Sequence, residues 1–145
     1  MKLKTLTYTS LARLDLTSQD LSDIHQAARH LNALDGITGL LIFDGARFLQ
    51  IIEGGEEAID SLVDRLRSDP RHSGFEIRDS RQVERRSFPD WSMELLGVSA
   101  GYLQAPAELT AILPESVAPP VRDLVLRMAG AMASPAERQD SENPA

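Results

Sequence analysis

The chain has 145 residues, no cysteine and a formal net charge of −7, with a pI near 4.9. The length suits one domain with an appended segment. The acidic balance argues against nucleic acid or an anionic membrane as a direct partner. Without thiols there are no disulfides, thiolate catalysis, thiolate metal sites or cysteinyl cofactor adducts. The start, MKLKTLTYTS, is too polar for a signal peptide, and no apolar run approaches the roughly 18–20 residues of a membrane span. A cytoplasmic protein is expected.

Residues 3–10, LKTLTYTS, alternate. Leu6, Tyr8 and Ser10 share one face, Thr5, Thr7 and Thr9 the other, and these residue types favour a strand. LDLTSQDLSDIHQAARHLNALDG follows. Thr17 is its N-cap, with Asp20 at capping-box spacing. Leu21, Ile24, Ala28 and Leu31 recur at helical spacing, and Gly36 ends the helix. ITGLLIFDGARFLQIIEGG predicts a hairpin with arms Leu40 to Phe43 and Phe48 to Ile52, and Asp44-Gly45 as a two-residue turn. GEEAIDSLVDRLRSDP predicts a second helix. Glu56 and Glu57 suit its positive end, Ile59, Leu62, Val63 and Leu66 form its apolar stripe, and Pro70 lies beyond its end. PRHSG then reads as a turn, FEIRDSRQV as a strand, RRSFPD as a basic turn and WSMELLGV as a last strand.

The order βαββαββ predicts an α+β fold: a ferredoxin-like sheet, antiparallel or mixed, with two helices on one face. After Gly101, YLQAPAELTAILP and SVAPPVRDLVLRMAGAMA predict two further helices. Leu124, Val125, Met128 and Met132 are placed to cover the sheet's other face, or to pair with a second copy of the chain. The end, SPAERQDSENPA, is polar and expected to be disordered.

Several polar or amphipathic residues fit this core badly. Gln50 lies between Phe48, Leu49, Ile51 and Ile52, and a buried amide without a partner costs about 1–3 kcal/mol. Tyr8, Gln50 and Trp91 lie on three different strands, and Asn32 follows Ala28 by four residues. If their faces turn inward, the core holds a phenol, two amides and an indole. Such polarity must be wired together or wrapped around a ligand. Ordinary readings also exist. Gln50 can be a satisfied structural amide, Asn32 a cap, Tyr8 a packing residue, Trp91 and Met93 core, and Arg65, Arg67 and Arg71 a solvated face.

No enzyme motif is present: neither a phosphate-cradling GxGxxG or Walker loop nor a GxSxG elbow. Glu53, Glu56 and Glu57 read as cap and turn residues. His25 and His30 are five apart and share no helix face, so no metal spacing arises.

The order and spacing of the pieces carry more than each alone. LTYTS with Tyr8 and Ser10, Asn32 near the end of the first helix, GITGLL, RFLQIIEG, SDPRHS and RSFPDWSM together resemble the BLUF family, blue-light sensors using flavin, over about residues 3–97. The resemblance implies one noncovalent flavin, normally FAD, with its ring between the two helices over one sheet face. FMN or riboflavin would satisfy the same ring contacts. Ile24, Leu41, Phe48 and Leu66 would contact the ring, and Asn32 its polar edge. Arg65, Asp69, Arg71 and His72 would serve the ring edge or the phosphate side. Gln50 would bridge the Tyr8 hydroxyl and the flavin. Tyr8 would give up an electron and a proton through Gln50, leaving Gln50 rotated or tautomerised and the absorption shifted slightly to the red. Ser10, Trp91 and Met93 complete the photoactive set, with Trp91 and Met93 passing the change toward the C-terminal helices.

On this reading residues 1–98 form the flavin-binding domain, 99–133 a helical cap or output segment, and 134–145 a tail. The protein turns over no substrate. It signals to a separate partner, or through a homodimer or higher oligomer. The competing readings are a flavin-dependent redox enzyme and a cofactor-free interaction module on the same fold.

Overall fold

The computed structural model describes residues 2–89, 92–97 and 113–133, with the backbone alone at 31, 92–97, 132 and 133. In chain order the elements are β1 (Leu3–Ala12), α1 (Ser18–Leu34), β2 (Thr38–Phe43), β3 (Arg47–Gly55), α2 (Glu56–Arg67), β4 (His72–Val83), β5 (Ser92–Gly97) and α3 (Pro119–Ala133). They build one sheet in the order β4-β1-β3-β2-β5. Its pairings are antiparallel except β2 with β5, which run parallel. This is the predicted α+β sheet, with β5 as an added edge strand.

Local chemistry sets the boundaries. Thr17 and Asp20 form a reciprocal capping box: each backbone N–H donates to the other's side chain at 3.0 Å. Two of the donors that a helix start leaves unpaired are thereby served. The hairpin connection is Asp44-Gly45-Ala46 rather than the expected two-residue turn. Asp44 Oδ1 accepts from the N–H groups of Ala46 at 2.9 Å and Arg47 at 2.6 Å, so an aspartate side chain closes the turn in place of the backbone.

The predicted PRHSG turn is shorter than expected, because β4 already begins at His72. β1 offers pairing partners there: Ala12 opposes His72 and Leu11 opposes Ser73. An extra β4 residue is absorbed as a bulge, with Gly74 at φ 61°.

The two sheet faces carry separate cores. Leu6, Tyr8, Ile37, Leu41, Phe48 and Ile52 pack against Ile59, Leu62 and Val63 of α2, with Leu21, Ile24 and Ala28 of α1. Leu40, Ile42, Leu49 and Ile51 face the other way and pack with Phe88 and α3. The α3 stripe is Val121, Val125 and Ala129, flanked by Met128. It is centred away from the predicted Leu124, which stays half-buried. Glu53 is not a turn residue either. It is 2% exposed inside β3, on the α3 side by alternation with Leu49 and Ile51.

Of the predicted short C-terminal helix only Leu113 and Pro114 are described. Trp91, the tail 134–145 and the side chains of Leu31, Met93 and Met132 lie outside the described residues. Among those described, no helix is long and apolar enough to cross a membrane.

One buried group is out of balance. Thr7 is 1% exposed, and its Oγ1 has no hydrogen-bond partner among the described residues. Valine has nearly the same shape, favours strands and carries no hydroxyl to desolvate. Thr7→Val is therefore expected to stabilise the fold by about 1 kcal/mol. A urea midpoint that falls instead of rising would show that the hydroxyl is used.

Candidate functional site

The antiparallel register of β1 on β3 sets Tyr8 directly opposite Gln50. Directly opposed residues bring their Cβ atoms to roughly 4.5–5.5 Å, which suits a phenol and an amide. The Tyr8 hydroxyl donates to Gln50 Oε1. Both residues are buried, at 3% and 5% exposure. The Tyr8 ring stacks on Phe75 with centroids 4.6 Å apart. Burial pushes the phenol far above its usual pKa, and the Asp69 carboxylate adds to the effect. Tyr8 is thus held as a neutral donor.

Above this pair lies a slot of about 220 Å³ between α1, α2 and the sheet. Its lining contains Ile24, Asn32, Leu41, Phe48, Gln50, Arg65, Leu66, Asp69, Arg71 and His72, so every expected cofactor contact faces one cavity. Ala27, Ala28 and Leu62 complete it. Ala28 and Leu62 were legible as stripe residues but not as site residues. The signal was there: adjacent alanines leave room for a flat group, and Leu62 lies one turn before Leu66.

Asn32 works at both levels. Its carbonyl accepts the Ile37 N–H at 2.7 Å, closing the helix end. Its side chain is buried against the slot.

His72 is tied at both nitrogens, to Leu66 O at 2.5 Å and to Ser10 Oγ at 2.7 Å. A carbonyl only accepts, so Nε2 carries the hydrogen and Nδ1 accepts from Ser10 in the neutral ring. Ser10 thus enters the site through His72 and not by lining the cavity. The arginines are not a free solvated face. Arg65 pairs with Asp35 at 3.2 Å and Arg71 with Asp69 at 2.6 Å, while the Arg67 guanidinium lies 4.9 Å from the Phe75 ring centre. An incoming anion must share or displace these partners.

Hydrogen bonds from Arg71 hold Asp69 below the usual carboxylate pKa of 3.8. Its folded value lies under its unfolded one. Its contribution to stability is therefore complete above about pH 3.8 and is lost as pH falls through the lowered value. Asp69→Asn should be less stable than the parent at neutral pH, with the gap closing in acid. Thermal unfolding across the acid limb checks this, and a constant gap would refute it.

The lining suits a flat, amphipathic ring system. Apolar side chains form its walls, and amides that can both donate and accept lie at its edge. The cavity is smaller than the roughly 300–1,000 Å³ that encloses a whole drug-sized ligand. Among the described residues no group of three or more His, Cys, Asp or Glu is placed to hold a metal ion.

Comparison with known proteins agrees with this chemistry. The family model "Sensors of blue-light using FAD" matches residues 3–94. Photoactivated adenylate cyclase subunit beta-like protein FB of Euglena gracilis is 32% identical over 133 residues, covering 91% of this chain and 14% of that protein. The blue light- and temperature-regulated antirepressor BluF of Escherichia coli K12 is 34% identical over 70 residues, 48% of this chain and 17% of that protein. The chain therefore spans only a small part of these relatives' length. Among solved structures, the dark state of BlrB, a BLUF protein, superposes with a TM-score of 0.70 at 35% identity, covering 90% of this chain and 96% of that one. BlrP1 of Klebsiella pneumoniae, in a manganese and cy-diGMP complex, superposes with a TM-score of 0.77 at 29% identity, covering 89% of this chain and 33% of that one. By the family match across its sheet and both slot helices, the chain belongs to the BLUF family of blue-light sensors, whose cofactor is a flavin.

Proposed function

We propose that the chain is the input unit of a light switch, in which a noncovalent flavin lies in the slot and the Tyr8–Gln50 pair converts absorbed light into a new hydrogen-bond pattern. The observation that carries this is the buried hydrogen bond from Tyr8 to Gln50 Oε1 on the slot floor. When bound, the flavin supplies blue absorption and, once excited, an oxidant. Tyr8 keeps its proton in the dark because burial opposes ionisation. When its ring gives up an electron, its hydroxyl becomes strongly acidic, and Gln50 Oε1 is the acceptor already in place. An amide accepts through oxygen and donates through nitrogen. It can turn or tautomerise and still be paired on both sides.

Ile24, Leu41, Phe48 and Leu66 would hold the ring, Asn32 would pair with its polar edge, and Arg65, Asp69, Arg71 and His72 would serve the ring edge or the phosphate side. Because most of these contacts would be to the ring, FMN or riboflavin could occupy the same slot as FAD. Trp91 and Met93 receive the change. No substrate is turned over. The state passes to a partner protein or to a second copy of the chain, in the cytoplasm.

The test is an absorption spectrum of the FAD-reconstituted protein, in the dark and just after blue light. A flavin spectrum that shifts slightly to the red and reverts in the dark is expected. Bleaching, or no change, would instead favour redox chemistry, and a colourless protein would reject the slot as a flavin site.

A further inference from the structure

The link from β4 to β5 has to pass the ends of three other strands. The strand order puts β1, β3 and β2 between them. Four strand spacings come to roughly 19 Å. The eight residues between Val83 and Ser92 reach at most about 26–29 Å. The described part of the link, residues 84–89, passes the strand ends beside Glu53, Thr38 and Gly36.

It is fastened on the way. Glu53 Oε1 accepts the N–H groups of Ser87 and Phe88, each at 2.8 Å. In return Arg86 donates to Glu53 O and Thr38 Oγ1, each at 3.0 Å, and to Gly36 O at 2.5 Å. The two side chains thus hold each other's segments. Burial pushes the Glu53 carboxyl above its usual range, against the pull of the Phe88 and Ser87 N–H groups and of Arg86. Such a group stays in place only because its partners are fixed.

The fastening point lies between the two cores. Gln50 faces the slot, and Glu53, three residues on, faces the opposite side. Phe88 is 1% exposed and packs with Val121 and Val125 of α3. Ser116, just before that helix, donates its hydroxyl to Ser87 Oγ at 3.1 Å. A displacement of β3 at Gln50 has a short route: along the strand to Glu53, and from there by hydrogen bonds to Ser87, Phe88 and Ser116.

We propose that Glu53 is a positioning residue: through Ser87 and Phe88, with Arg86 as its clasp, it sets the approach of β5 and carries the rearrangement at Gln50 to α3. This rests on the Tyr8–Gln50 reading of the light response. Two observations make Glu53 more than a structural anchor. It lies on the same strand as the photoactive amide, and the groups it binds belong to the loop that packs on α3.

The experiment is amide hydrogen exchange on the full FAD-loaded protein, in the dark and under continuous blue light, with absorption followed in the same sample. Ser87 and Phe88 amides are expected to exchange at least about tenfold faster in the light, the effect of losing one ordinary hydrogen bond. Amides of β1 paired with β4 should not change. Equal exchange in both states, with the red shift present, overturns the proposal and leaves the Tyr8–Gln50 reading standing. Absence of the red shift overturns both. Variants give a second readout. Glu53→Gln keeps an acceptor oxygen for both N–H groups and should keep the light-dependent exchange. Glu53→Ala should lose it while keeping the red shift. Retention in Glu53→Ala would make Glu53 merely structural, and if that variant does not fold, exchange in the parent decides.

Discussion

Replacing Gln50 by leucine is expected to abolish the light-induced red shift while the flavin stays bound. Leucine preserves the bulk between Phe48 and Ile52 but offers neither donor nor acceptor. The Tyr8 hydroxyl, buried at 3% exposure, then faces a methyl group where it had an acceptor. A buried hydroxyl left unpaired costs about 1–3 kcal/mol, a loss that a domain of about 5–15 kcal/mol survives. The variant should therefore fold, take up flavin and show the dark spectrum without its shift. A retained red shift in Gln50→Leu would remove Gln50 from the mechanism. Tyr8→Phe is the companion. It keeps the stacking on Phe75 and deletes the donor. If it loses flavin binding rather than photochemistry, Tyr8 is a structural residue.

Gly39→Ala is expected to be the most damaging single-methyl addition in the sheet. Gly39 has φ 153°, and a Cβ built there would lie 1.9 Å from the Ile51 carbonyl oxygen. The obstacle is backbone, so no rotamer change relieves it. β2 would have to leave β3, and with it goes the strand on which β5 pairs, since Gly39 also opposes Ser92. The backbone conformation itself adds strain for any L side chain. A destabilisation above about 4 kcal/mol, exceptional for a point change, approaches the lower end of total domain stability. Far-ultraviolet circular dichroism with urea titration measures it. A midpoint near the parent's would show that β2 can shift sideways at low cost.

What could be read from the sequence follows the range of the forces involved. The strand of Tyr8, the capping box at Thr17, the two hairpin arms and the α2 stripe are local patterns, and each appears where the pattern put it, though the hairpin's turn takes one residue more. The residues that line one slot were named together because their order and spacing resemble a family's, not because any one of them announced itself. Features that depend on distant partners were not legible. His72 looks like part of a turn until β1 supplies a strand to pair with. Glu53 looks like a turn residue because its partners, the Ser87 and Phe88 amides, lie more than thirty residues away. The α3 stripe was misplaced around Leu124, because several apolar positions on that helix compete and the sheet decides among them. The parallel placement of β5 beside β2 leaves no local trace, since its register is fixed by strands and a loop remote in sequence.

Among the described residues, everything that lines the slot falls between Tyr8 and His72, and what packs on the opposite core beyond β3 begins at Phe88. The slot lining and the α3-side packing beyond β3 thus follow one another along the chain, while β2 and β3 serve both faces by alternation. The segment beyond β4 can therefore drift in sequence, or be joined to something new, without altering a single described wall of the slot. The proteins this chain matches include cyclase subunits and an antirepressor, each far longer than the matched region, as expected if one receiver has been wired to many instruments.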